Sequence, residues 1–148
     1  MTTQKVDHTT PNDAQSQLAC IRSESDDGIH VLAYTEISRK AIDELAQHIT
    51  DIYHELLAKP AEDVTVACFL IDSRIGSQPV KYTMARMRET VGQMKGDHKS
   101  RIAIVLTDNL MMNMLSTLSN QVMRGQDEFR LFRADEYDAA FAWLRANP

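Results

Sequence analysis

Val64-Thr65-Val66-Ala67-Cys68-Phe69-Leu70-Ile71 decides the fold. The run is apolar at consecutive positions and rich in β-branched residues, the pattern of a strand covered on both faces. Ile102-Ala103-Ile104-Val105-Leu106 repeats it downstream. Between them, Pro79 suits the first turn of a helix that runs to about Lys95, with Tyr82, Met84, Ala85, Met87, Arg88 and Val91 on a mixed face. A buried strand, a helix and a second buried strand make a β-α-β unit, and such units build parallel sheets.

Upstream of this unit, Ile29-His30-Val31-Leu32-Ala33-Tyr34 predicts another strand, and Leu18 to Ser23 an earlier one. Ser25-Asp26-Asp27-Gly28 between them is hairpin chemistry, because Asp-Gly supplies the positive-φ residue of a tight turn. Thr35 to Ser38 offers hydroxyl caps for a helix reaching about Lys59, where Pro60 ends it. Its stripe is Ile42, Leu45, Ala46, Ile49, Ile52, Tyr53, Leu56 and Leu57. Downstream, Gly96-Asp97-His98 turns the chain, and Thr107-Asp108-Asn109 caps a third helix from Leu110 to Arg124, closed by Gly125. Glu128 to Phe132 alternates as an edge strand does, and Asp135 opens a last helix.

The expected architecture is therefore α/β, in the order β-β-α-β-α-β-α-β-α: one domain over residues 17–148 with a mixed, mostly parallel five-stranded sheet and flanking helices. Residues 1–16 are polar, carry Pro11 and lack periodicity, so a disordered tail is expected there.

The bulk numbers exclude several classes. A net charge of -5 and a pI near 5.5 argue against general nucleic-acid binding. No apolar run approaches the roughly 20 residues of a membrane span. The polar start shows no signal peptide, so a cytoplasmic location is the default. Cys20 and Cys68 read as small buried apolar residues of a reducing compartment. Neither they nor His8, His30, His48, His54 and His98 have metal-ligand or base-nucleophile spacing. Glycine-rich phosphate loops and a Gly-x-Ser-x-Gly elbow are missing from the sequence. No cofactor, no metal and no catalytic set is expected.

Several local strings carry a family resemblance. Phe132-Arg133-Ala134-Asp135-Glu136 with Ala140-Phe141-Ala142-Trp143-Leu144, and Leu70-Ile71-Asp72 with Pro79-Val80-Lys81-Tyr82, resemble STAS-like bacterial proteins of the SpoIIAA-like, anti-sigma-factor-antagonist type. The resemblance covers roughly Leu18 to Leu144 and implies a regulatory domain that works by binding proteins. In the antagonists, an Asp-Ser-Ser-Gly string carries a phosphoacceptor at its second serine. Here the string is Asp72-Ser73-Arg74-Ile75-Gly76, so Arg74 stands in that place. Ser73 or Ser77 is left as the candidate acceptor, and Asp72 and Ser73 equally suit loop capping.

The resemblance further implies that Ile29 to Tyr34 is the central strand, flanked by those ending at Ile71 and Leu106. Ligand sites of α/β sheets lie beyond the carboxyl ends of strands, where strand order reverses. The candidate binding residues are then Tyr34, Thr35, Asp72, Ser73, Arg74, Lys81, Thr107, Asp108 and Asn109. Arg74 suits an anionic ligand or a partner carboxylate, and Thr35, Asp108 and Asn109 suit helix caps as well. Changing Arg74 and Lys81 to glutamate is expected to weaken partner capture while moving stability by less than about 1 kcal/mol.

Arg74 to Arg101 is locally basic, which fits a solvated helix face or a patch for an acidic partner. Met84, Met87, Met94, Met111, Met112, Met114 and Met123 crowd two helices, and Met112 falls off the core stripe beside Leu110. Those methionines allow core packing or an apolar binding surface. The first functional expectation is a non-enzymatic binding module for an unidentified protein partner. The alternative is a carrier or sensor of a small apolar or lipid-like ligand. Exposed edges at Leu18–Ser23 or Phe129–Phe132 leave a homodimer open.

Overall fold

The computed structural model describes residues 19–60, 66–93, 99–122 and 127–146. The expected N-terminal tail, the start of the strand at Val64 and Thr65, Met94, Lys95, Met123 and Gly125 lie outside the described residues. The strands are β1 (Ile21–Asp26), β2 (Ile29–Tyr34), β3 (Val66–Ser73), β4 (Lys99–Leu106) and β5 (Asp127–Arg133). The helices are α1 (Arg39–Leu57), α2 (Val80–Gln93), α3 (Asn109–Val122) and α4 (Tyr137–Arg145), with a 3-10 turn at Ala134–Glu136.

The sheet is mixed, as the sequence pattern predicts: β1 runs antiparallel to β2, and all other neighbours are parallel. Its spatial order is β1-β2-β3-β4-β5. The central strand is therefore β3 and not Ile29–Tyr34, and strand order nowhere reverses. Each crossover steps one strand in the same direction, and the right-handed rule for such connections puts α1, α2 and α3 on one face. They pack there against Leu32, Phe69, Ile71, Ile102 and Ile104. The other face carries Ile29, Val31, Leu70, Ala103 and Val105 under α4. Alternate residues of β3 and β4 thus enter two different cores, which is why both strands read as unbroken apolar runs.

The hairpin turn is shorter than the sequence reading. Only Asp27 (φ 55°) and Gly28 (φ 81°) turn, both with positive φ, as a two-residue hairpin requires. β1 consequently extends to Asp26, three residues past the expected end at Ser23. It exposes Arg22, Glu24 and Asp26, charges that discourage pairing at this edge. β3 likewise continues through Asp72 and Ser73, which pair in the ladder with Val105 and Leu106. α1 starts at a serine cap: Ser38 Oγ accepts from the Ala41 amide at 3.0 Å.

Candidate functional site

The loops that follow β2, β3 and β4 are tied into one rim. Buried Gln78 joins the first two: its Oε1 accepts from the Ser38 amide at 3.0 Å, and its Nε2 donates to the Glu36 carbonyl at 2.8 Å. Ser77 joins the second to the third by donating to Asp108 Oδ2 at 2.6 Å. Asp108 also accepts from the Leu110 amide at 2.8 Å, so it caps α3. Gly76 sits at φ 151°, and the Ile37 side chain occupies the space a β-carbon would need, 2.7 Å from its ideal position. On this knitted base stand the most exposed large apolar side chains of the described residues: Ile37 (51%), Ile75 (49%) and Leu110 (61%).

Neighbouring residues of β3 divide between the two faces. Ser73 is buried toward the helical layer, where its hydroxyl donates to the Gly76 carbonyl at 3.2 Å. Asp72 points to the α4 face. Arg74 grips it in a fork, Nε to Oδ1 at 2.9 Å and Nη2 to Oδ2 at 2.8 Å, and its amide donates to Oδ1 at 3.0 Å. The guanidinium lies 3.8 Å above the Tyr137 ring. Burial pushes the Asp72 carboxyl up, but the Arg74 hydrogen bonds and charge outweigh it and hold the group below its ordinary range. Arg74 is thus committed to a buried carboxylate, a tie that the expectation of a change below about 1 kcal/mol on charge reversal does not include.

Elsewhere in the basic stretch, Arg86 pairs with Asp43 and Glu89, and Arg101 with Glu128. Lys81 and Arg88 remain exposed. Thr107 and Asn109 are exposed, and Thr35 donates its amide to the Cys20 carbonyl at 3.0 Å. Met112 is half-buried and packs against the larger core.

Beneath the rim, between the sheet and α1, α2 and α3, lies a cavity of about 60 Å³. Ile42, Leu45, Ile71, Met87, Ile104 and Met111 line it, together with Tyr34 and Ser73. Two threonine hydroxyls in its wall are spent on the main chain: Thr83 donates to the Pro79 carbonyl and Thr90 to the Arg86 carbonyl, each at 2.7 Å. Asp43 ties α1 to α2 alongside it, accepting from the Tyr82 hydroxyl at 2.6 Å. Among the described residues, no group of His, Cys, Asp and Glu side chains can hold a metal ion, and no helix is long and apolar enough to cross a membrane.

Comparison with known families matches residues 28–145 to the SpoIIAA-like family. The chain belongs to that family. A comparison with curated proteins gave no match, and one with solved structures gave none. Membership sets this SpoIIAA-like domain among STAS-type regulatory and protein-interaction domains.

The sequence reading named Ser77, Asp108 and Ser73 for this SpoIIAA-like domain but passed over Ile37, Ile75 and Gln78. Two of these had a readable signal: an isoleucine inside a polar loop, as in Arg74-Ile75-Gly76-Ser77, has no local reason to be apolar. Gln78 had none, since its partners lie some 40 residues away, at sequence separations of 40 and 42.

Proposed function

We propose that this SpoIIAA-like domain is a non-enzymatic, cytoplasmic regulatory module that docks a protein partner on the rim beyond β2, β3 and β4. The observation that carries this reading is the exposure of Ile37 and Ile75 on two rim loops and of Leu110 at the start of α3, where Gln78 and the Ser77–Asp108 bond tie these segments together. Exposed apolar side chains on a rigid, polar-edged platform are the anatomy of an interface core. Of the two candidate phosphoacceptors, Ser77 presents its hydroxyl at the surface, whereas Ser73 is 3% exposed. A phosphate on Ser77 faces the Asp108 carboxylate, and the repulsion loosens the rim. Regulation by phosphate is therefore assigned to Ser77.

The test is a paired capture from the protein's own cell extract, with wild type and an Ile75→Glu/Leu110→Glu variant as baits. A protein bound by wild type should lose at least tenfold in affinity for the purified variant, as expected when interface-core anchors are replaced. The melting temperature should stay put, because both side chains already face solvent. Equal capture by both baits removes the rim from the proposal.

The cavity supports a second reading, a carrier or sensor of a small apolar ligand. Its walls are mostly carbon, with the hydroxyls of Ser73, Thr83 and Thr90 already bonded to the main chain, which suits a largely apolar occupant. Native mass spectrometry after gentle isolation should then show a bound apolar molecule, displaced by an Ala46→Phe change that fills the space. A clean unliganded mass counts against this reading.

A further inference from the structure

A second polar cluster lies away from the rim, where the β1–β2 hairpin meets the middle of α1. Ser23 on β1 and His48 on α1 share a hydrogen bond of 2.9 Å between Oγ and Nε2. His30, on β2, stacks on the core ring of Phe69 with centroids 5.4 Å apart. Both imidazoles are half-buried on the helical side of the sheet, near enough that the charge of one bears on the other. We infer that His30 and His48 form an acid-sensitive clasp, which holds the hairpin against α1 while both rings are neutral and loosens it when they are charged.

The groups around the pair make the sign definite. β3 offers Phe69 at the paired position, and on β1 His30 pairs with Ser25, with Ser23 next on the same face and the exposed Glu24 and Asp26 on the opposite one. α1 supplies Glu55, which faces both histidines, and Asp51, which faces His48. Burial is the largest influence on each ring and lowers its proton affinity; for His30 the nearby His48 lowers it further. The acidic groups pull the other way without winning. A histidine that resists protonation when folded binds its proton more readily when released. Stability from the clasp is therefore complete above the ordinary histidine range and is lost as the pH falls through it and through the lowered folded values. A protonated His48 also cannot accept from Ser23 at Nε2, so only the donor arrangement of their bond survives.

Beside the clasp, α1 is tied to the residue just before β1 and to the start of the strand. The Cys20 amide donates to Glu44 Oε1 at 3.0 Å, and Ile21 is the buried apolar residue of the strand. β1 stays paired with β2 along its length, so loosening the clasp weakens the packing of this edge strand on α1 while β2, β3 and β4 keep their own ladder.

Hydrogen exchange on the full chain at pH 7 and pH 5, corrected for intrinsic rates, tests this. Amides of Ile21–Asp26 should exchange at least tenfold faster in acid, relative to those of β3 and β4. His48→Gln keeps a hydrogen-bonding partner for Ser23 without the charge and should abolish most of that rise. Glu55→Gln, at an exposed position, should displace the acid transition to lower pH. Acceleration shared equally by β3 and β4, or an unaltered transition in Glu55→Gln, overturns the clasp.

Discussion

Replacing Phe69 by alanine is expected to cost about 3–5 kcal/mol, a large share of the roughly 5–15 kcal/mol usual for a folded domain. Phe69 is fully buried on the central strand, and its neighbours in register are His30 on β2 and Ile102 on β4. Truncation removes the transfer free energy of the ring and leaves a void that three anchored strands cannot close. The sheet around it is fixed by two ladders and by α1, so relaxation recovers little. Urea denaturation of the purified variant measures the loss through its midpoint. A cost below about 1 kcal/mol would mean that the ring is not in the core, and that β3 does not run between β2 and β4.

The same residue shows how far the fold was legible. Phe69 belongs to an uninterrupted apolar run because Cys68 and Leu70 serve one core while Phe69 and Ile71 serve the other. That double coverage writes itself into consecutive residues, and so does the stripe of α1 at spacings of three and four. Strand order does not. Nothing in Ile29–Tyr34 records whether it lies at the centre or one step from the edge, because its neighbours are chosen by crossovers rather than by its own side chains. The rim was half legible for a related reason. Asp108 and Ser38 act on adjacent amides, and local capping has a local signature. Ser77 with Asp108, and Ser23 with His48, meet across 31 and 25 residues of chain, and only the tertiary structure joins them.

Asp72 and Arg74 are two residues apart, yet their pairing was not legible either, since it depends on β3 continuing as a strand through Ser73. Their energetics should be lopsided. Asp72 is nearly covered, with 10% of its side chain exposed, whereas 42% of Arg74 is open to water. Arg74→Ala strands a carboxylate in a half-dry site and strips the cation from the Tyr137 ring. We expect a loss of about 2–3 kcal/mol, below the figure for a fully buried pair because solvent reaches one partner. Asp72→Ala leaves a guanidinium that can turn outward, and should cost about 1–2 kcal/mol. The double variant should lose less than the two combined, because neither charge is then left alone. Acid separates this account from a simple packing loss. In the wild type the carboxyl sits below its ordinary range, so its contribution is whole above that range and is lost as the pH falls through the lowered folded value. Without Arg74, burial acts with its main opponent gone and the carboxyl moves up. The folded variant then holds its proton more tightly than the unfolded chain, and its penalty is relieved on going from neutral pH into mild acid. Urea titrations of wild type and Arg74→Ala at pH 7 and pH 4.5 should show the gap between them narrowing. A gap that is constant with pH would mean that Asp72 is not the buried charge, and Arg74 would return to the rim as a free cation.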